Sequence, residues 1–536
     1  MDALTPAVES FTVEERAALA PYVTNLEGPV FALVNLPEVV KGALFARYSR
    51  SPKSLRRLFL DEFLDRAALP APPSAAGTER AEALYERVLG EYGDDSVAQL
   101  GGVHLACEGA SNVLTKVLEW GRLMAYLEQS TRYVPYTDRP GGVWRYHVPA
   151  ELEATPLRAA YVATLDRAFA TYTRWLDPLR EYWARRFPRP PGESEGAWRL
   201  TVRSRALDSL RGLLPAATRS NVGMFGTGQA YEALLLRMRA CPLAEVTRCA
   251  ALMKTELDKV IPAFLRRLDR PDRGGEWTRY LAETRAATAA VARDLCAGVA
   301  VAPRPEVILT DFDPEGEVKV VAAALYAASD LPDDQLLALA RALGPEERQR
   351  VLDAYTGCRG NRRHRPGRAF ERTAYRFDIL TDYGAFRDLQ RHRLLTLEWQ
   401  PLSTRHGYAA GPEIVEVGAR ADWTRVMDES AELWESLRSA GLGAVAPYAV
   451  AMAYRVRFYM DLNAREAMHV IELRTGPQGH PAYRRVAQQM YRLIAEEAGH
   501  SALAGAMRFA DLSGAERGRW EAERAAAIRR PSAAPE

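Results

Sequence analysis

The sequence predicts a fold between α/β and α+β, built as two tandem units, each a small sheet with surrounding helices, that form a pseudo-dimer. Three observations lead there. Ala-, Leu- and Arg-rich segments with apolar residues three and four apart cover roughly 155–186, 196–212, 244–268, 278–299, 334–356, 422–439 and 483–509. Short apolar runs mark strand candidates at Val30–Val34, Val143–Val148 and Val318–Ala322. Finally, motifs recur in the same order along the chain, which is the mark of an internal repeat.

From the N-terminus, Glu27-Gly28-Pro29-Val30 precedes Phe31-Ala32-Leu33-Val34 and has a weak echo in Glu315-Gly316-Glu317-Val318. Leu69–Gly77 and Phe187–Gly192 are Pro-rich and read as loops. Apolar or small residues at 100, 103, 107, 110, 114 and 117 predict a helix with a buried stripe. It leads to Ser130-Thr131-Arg132, which recurs 273 positions on as Ser403-Thr404-Arg405, with Phe370–Leu389 in the place of the helix. Leu236-Arg237 and Leu473-Arg474 pair at an offset of 237, each ahead of a Pro-containing loop and a helix. The break at Val301-Ala302-Pro303-Arg304-Pro305 then separates two copies, 1–297 and 298–536. Arg530–Glu536 reads as a frayed tail.

At 536 residues, 48% apolar and 26% charged, the composition is that of a globular protein. No run of 18 apolar residues predicts a membrane span. The start carries Glu9, Glu14 and Glu15 and no basic-then-apolar leader, so a cytoplasmic location is expected. A net charge of +2 argues against nucleic acid as a partner. Basic residues comprise six lysines and 65 arginines. Codon usage in a GC-rich genome explains most of these, and bidentate anion binding is the sharper alternative. Cys107, Cys241, Cys249, Cys296 and Cys358 are scattered without a C-x-x-C pair, so buried inert thiols are expected.

The densest polar cluster runs from Arg391 to Tyr408. Arg391, His392, Arg393, Arg405 and His406 are interleaved there with leucines and Trp399, which suits anion binding beside an apolar wall. A solvated helix end has the same composition.

Arg391-His392-Arg393, a hydroxyl three residues further on, then Ser-x-Arg and an aromatic resembles the signature of the flavin-dependent thymidylate synthases, the ThyX family. Glu371 stands where the family has a glutamate 20 residues before the first arginine, and Arg387 matches an arginine four residues ahead. Leu462-Asn463-Ala464-Arg465 followed by Leu473-Arg474 resembles the Asn-Ala-Arg…Arg segment. The resemblance covers most of 315–505. The first half resembles the family in a decayed form. Gly93-Asp94-Asp95-Ser96-Val97-Ala98-Gln99 stands for Gly-His-x-Ser-x-x-Glu, and Glu119-Trp120-Gly121, 20 residues after Gln99, takes the Arg-His-Arg position. Leu127-Glu128-Gln129-Ser130-Thr131-Arg132-Tyr133 still resembles Asn-Glu-x-Ser-x-Arg-Tyr, and Arg211, four before Pro215, matches a nucleotide arginine whose second-half position is Gly443.

The resemblance implies FAD as cofactor, held by Arg391, His392, Arg393, Asn463, Arg465, His469 and Glu371. It implies dUMP or a related pyrimidine nucleotide as substrate, bound by Glu128, Ser130, Thr131, Arg132, Arg211, Arg391 and Arg474. Arg474 and Arg391 are the implied catalytic groups. Methylenetetrahydrofolate would give the one-carbon unit and NADPH the hydride. Because family sites are shared between subunits, one composite site is expected from the two complementary sets, and a homodimer would mimic the family tetramer. Three departures stand out: Pro366 and Asp94 replace the upstream histidine, Asp388 replaces a nucleotide-binding glutamine, and His469 replaces a flavin-contacting asparagine. Two other readings therefore stay open: a flavoenzyme for another pyrimidine nucleotide, and an inactive nucleotide- or flavin-binding paralogue.

No metal is expected. Glu496/His500 and His469/Glu472 have helical spacing but lack further ligands. His104 reads as a core histidine. Gly226-Thr227-Gly228-Gln229 lacks the Lys-Ser/Thr of a phosphate loop and stands where the second half has Asn463-Ala464-Arg465.

Overall fold

A computed structural model of the chain describes residues 9–36, 38–64, 99 and 101–514. The expectations for the chain start, for 69–77, for 93–98 and for the tail 530–536 lie outside the described residues. Among the described residues, eight strands form two four-stranded antiparallel sheets of one topology. The first contains β1 (Val30–Leu33), β2 (Gly102–Ser111), β3 (Met124–Glu128) and β4 (Arg219–Thr227), in the order β1-β2-β4-β3. The second contains β5 (Val307–Phe312), β6 (Ala374–Asp382), β7 (Thr396–Trp399) and β8 (Arg455–Asn463), in the order β5-β6-β8-β7.

Alternation explains the central strands. β6 buries Tyr375, Phe377, Ile379 and Thr381 and turns Arg376 and Asp378 outward, while β8 buries Val456, Phe458, Met460 and Leu462. Each large side chain so buried contributes about 1.5–3 kcal/mol. Each central strand ends in a side-chain cap that starts a helix. Asp382 accepts from the Ala385 amide, Ser111 from Leu114, Asn463 from Glu466 and Thr227 from Ala230.

The copies can be matched bond by bond. Asn112 N–H donates to the Thr218 carbonyl as Tyr383 N–H does to Tyr454, both at 3.0 Å. Gln129 donates to Asn221 as Gln400 does to Arg457, both at 2.8 Å. The first unit also joins one copy to the other. The Ala216 amide donates to Val450 at 2.8 Å and the Met452 amide to Leu214 at 2.9 Å, around a Pro215–Ala451 bridge.

Several expectations fail, among them the burial of every thiol, since Cys296 and Cys358 are exposed. Residues 102–111 are strand rather than helix, paired with β1 and β4, and a bulge between Cys107 and Ala110, with Gly109 at φ 70°, inserts one residue into β2. That insertion turned a period of two into the three-residue gap that mimics a helix. Val318–Ala322 lies in helix Gly316–Tyr326, so the strand opposite β1 is β5 and the Glu-Gly echo is coincidental. Val143–Val148 makes only an isolated bridge at Tyr146. The stretch 334–356 is two helices, Asp333–Ala342 and Pro345–Thr356, parted at Gly344-Pro345.

Two compact units result: Met1–Trp183 with Ser204–Val301 and Ala410–Met452, and Ala184–Arg203 with Ala302–Ala409 and Ala453–Glu536. Each therefore takes in a segment from beyond the repeat boundary near 298. In the first unit, helix Arg420–Ser439 is tied to helix Leu157–Arg186 by Trp175 Nε1–Asp422 (2.9 Å) and Arg167–Glu429 (2.9 Å). No helix among the described residues is long and apolar enough to cross a membrane.

Candidate anion site around His392

In the second unit, helix Tyr383–Leu389 delivers Arg391, His392 and Arg393 to the turn that follows it. The Asp388 carboxylate pairs with Arg391, and the Asp388 carbonyl accepts from Arg474. Arg474 Nε also donates to His392 Nε2 at 2.8 Å. That bond needs a lone pair on Nε2, so the imidazole proton sits on Nδ1. His392 Nδ1 faces Glu466 Oε1 at 3.6 Å, with both side chains buried. Burial holds His392 well below the usual imidazole range, reinforced by Arg474, His469 and Arg391. His392 is thus a neutral link between a carboxyl and a guanidinium.

Helix Ala464–Arg474 lines up the partners. Burial raises Glu466 to about 7, against the pull of Arg365, Arg465 and Arg393. His469, edge-on to His392 at 5.5 Å, accepts from Arg365 at 2.9 Å, and burial with Arg365, Arg362 and Arg474 lowers it to about 4. Arg465 donates to the Pro366 carbonyl at 2.9 Å and reaches Glu371 at 3.3 Å. Asn463 spends its side-chain oxygen on the helix cap. His392, Glu466 and His469 bring ligand atoms within 4.8 Å of one another, a spacing that could hold a metal ion. Six guanidiniums (Arg362, Arg365, Arg391, Arg393, Arg465, Arg474) act on these same groups, however. A dication would meet their repulsion, whereas a phosphate or pyrophosphate would be attracted.

Neither helical pair considered for metal behaves as one. Glu472 forms a bidentate bond to buried Arg359, both at 2.6 Å. His500 lies beyond Gly499, where positive φ ends the turn holding Glu496, and bonds to the Tyr375 hydroxyl at 2.8 Å.

The first unit holds the other predicted set. Glu128 is buried with Lys116, whose ammonium lies 3.5 Å from it and 2.7 Å from Glu119. Ser130 N–H donates to the Ser49 carbonyl, and Ser130 Oγ accepts from Arg132 N–H at 3.3 Å. Thr131 is buried. Arg132 pairs with Asp208 at 3.1 Å, and Arg211, also buried, comes three residues after that aspartate.

The bond-by-bond match corrects the motif alignment. Glu119 and Gln390 both cap their helices, so Trp120-Gly121-Arg122 occupies the Arg-His-Arg position, one residue later than counting from Gln99 suggests. The β2 bulge supplies that residue. Arg211 and Pro447 stand in the same turn, accepting from Leu214 and Val450, so Pro447 replaces Gly443 as the mate. Arg237 matches Leu473, which leaves Met238 opposite Arg474. The Glu371–Arg465 ion pair has a neutral counterpart in the Gln99–Gln229 hydrogen bond at 2.8 Å. His104 packs on Phe225 at 4.5 Å, where the second copy pairs Arg376 with Asp461 at 3.5 Å.

Glu466 and Arg365 escaped the sequence reading. The Glu466/His469/Glu472 spacing on one helix face was a usable signal for the first, whereas Arg365 lies hidden among abundant arginines.

The sequence model of the family described as thymidylate synthase complementing protein matches residues 44–263 and again 307–498. A UPF0159 protein of Chlamydia muridarum is 36% identical over 96% of this chain and 98% of its own length. A UPF0159 protein of Thermoplasma acidophilum is 30% identical over 90% of this chain and 97% of its own. A protein of Clostridium tetani named flavin-dependent thymidylate synthase is 25% identical over 33% of this chain and 67% of its own.

Proposed function

We propose, from the premise that the chain belongs to the thymidylate synthase complementing protein family, that it binds FAD and methylates a uracil nucleotide. The reaction is conversion of dUMP to dTMP with methylenetetrahydrofolate as carbon donor and NADPH as reductant. The observation that carries this reading is the second copy's His392–Glu466–Arg474 cluster, where guanidiniums outnumber carboxyls around a buried centre. Such a donor set fits the diphosphate of a dinucleotide. Arg391, His392, Arg393, Asn463, Arg465, His469 and Glu371 would hold the flavin, which supplies the hydride chemistry when bound. Glu466 keeps the His392 proton on Nδ1, so Nε2 orients Arg474. Arg474, with Arg391, is then aimed to polarise the nucleotide base. Arg132 and Arg211 take the nucleotide phosphate, with Glu128, Ser130 and Thr131 around it.

Asp388 favours a second reading. Its carboxylate occupies Arg391, so a pyrimidine nucleotide other than dUMP is the alternative substrate. Flavin absorbance in the purified protein, followed by thymidine-independent growth of a synthase-deficient strain, tests the first reading. A yellow protein that fails to rescue growth supports the second. A colourless protein that takes up no added FAD overturns both.

A further inference from the structure

The loop ahead of β6 carries Arg362, Arg363, Arg365 and Arg368 within seven residues and no acid between Asp353 and Glu371. Codon usage acts on both copies of a repeat alike, so the first copy serves as a control. Carried back along the sequence alone, the offset that relates Gly102 to Ala374 sets Gln99 against Glu371 and the four arginines against Gly90, Glu91, Gly93 and Ser96. The arginines thus belong to the copy that keeps the anion site, and codon bias does not account for them.

The loop is firmly built. Arg359 anchors it from beneath through Glu472, with both side chains 1% exposed, and Arg359 Nε holds the His364 carbonyl at 2.5 Å. The His364 ring accepts from the Gly360 amide at 3.1 Å, and Arg465 holds the Pro366 carbonyl. This framework turns Arg365 onto His469 and leaves Arg362 and Arg363 in solvent, with no carboxylate paired to either among the described residues. Arg362 is close enough to His469 to help lower its pKa.

We propose that this loop is an anion-binding subsite for a multiply charged tail, several carboxylates or phosphates in series on a ligand whose other end lies against the flavin held at the His392 site. The proposal rests on the function proposed above, in which two visiting molecules have that chemistry: a folate with an oligo-γ-glutamyl chain, and NADPH with its phosphates. Charges spread along an exposed loop match a flexible chain of carboxylates better than one compact phosphate, which calls for converging donors. Each exposed contact is weak, about 2–5-fold, but contacts along one chain multiply.

The test compares the full-length protein with Arg362→Gln/Arg363→Gln, leaving Arg365 on His469. Folate monoglutamate, folate pentaglutamate, NADPH and NADH are titrated by calorimetry. The wild type is expected to bind the pentaglutamate about tenfold or more tighter than the monoglutamate. The variant should bring that ratio within about twofold while monoglutamate binding stays unchanged, and Arg362→Lys/Arg363→Lys should restore it. A selective loss of NADPH over NADH instead assigns the subsite to phosphates. If no folate binds, the donor in the proposed function is wrong, and free γ-linked pentaglutamate and tripolyphosphate decide the subsite alone. Equal binding of every probe by wild type and the glutamine variant overturns the proposal.

Discussion

Helix Gly228–Arg239 and helix Ala464–Arg474 leave their strands at corresponding hydrogen bonds, from Gly228 to Gly101 (3.0 Å) and from Ala464 to Thr373 (2.9 Å). Each begins with a side-chain cap. Position by position, however, Arg465, Glu466, His469, Glu472 and Arg474 of the second face Gln229, Ala230, Ala233, Leu236 and Met238 of the first. Backbone frame and caps survived in both, while the charged face was lost from one. The two requirements are physically separable: caps and inward apolar residues hold the helix, and the charges serve whatever the helix faces. Buried polar groups stay only where each has a partner. Once the cation grip decayed, apolar replacements removed the need for partners.

The largest effect that would sharpen this comparison is on stability. Glu472→Ala strands the buried Arg359 guanidinium and should cost about 3–5 kcal/mol in denaturant unfolding. Arg359→Leu/Glu472→Leu, which adopts the first copy's leucine, should recover most of it. A single-variant loss below about 1 kcal/mol would break the argument that these charges come and go as pairs.

Next is cofactor binding. A charge-assisted contact is worth about 1.5–3 kcal/mol, so Arg391→Ala/Arg393→Ala should weaken FAD retention by a hundredfold or more. Trp120→Ala/Arg122→Ala, at the matching positions, should leave it unchanged. Full flavin occupancy in the first variant sinks the assignment. A third contrast concerns the nucleotide: Arg132→Ala should weaken dUMP binding by about 10–150-fold. Arg405→Ala, its motif counterpart, should change it by less than about threefold, and equal losses would show that the copies have not divided the work.

The smallest effect is on pH dependence. Glu466 is raised to about 7 in the folded chain, so the folded state binds its proton more tightly and loses stability as pH rises from about 4.5 to 7. His469 is lowered to about 4, so the unfolded state binds more protons and stability rises with pH between about 4 and 6.5. The two slopes oppose each other where they overlap. Glu466→Gln should therefore expose a stability that rises across that window, and His469→Asn one that falls, each by at most about 1.4 kcal/mol per pH unit. Parallel profiles for both variants would contradict the opposition.

Much of the fold was legible because long amphipathic helices such as Leu157–Arg186 and Arg420–Ser439 write their period plainly. β1 was legible from its uninterrupted apolar run. β2 was not, since the bulge at Gly109 mixed two periods in ten residues, and a Val-rich helix at 316–326 looked like a strand. The Arg-His-Arg cluster could be found from its family pattern. The Glu466–His392–Arg474 chain could not, because it joins side chains 74 and 82 positions apart. Arg359 and Arg365 carry no local signal in a chain of 65 arginines.

The short ladder in which Ala216 meets Val450 and Met452 meets Leu214 has an evolutionary consequence. Between identical subunits, such a self-facing pairing would make every substitution appear twice, once on each side, so neither side could change alone. Here the facing positions are encoded separately and already differ, with Pro215 against Ala451 and Ala216 matching Met452. Fusion into one chain thus lifted the symmetry constraint at the seam, and one copy could lose its chemistry without dragging the other with it.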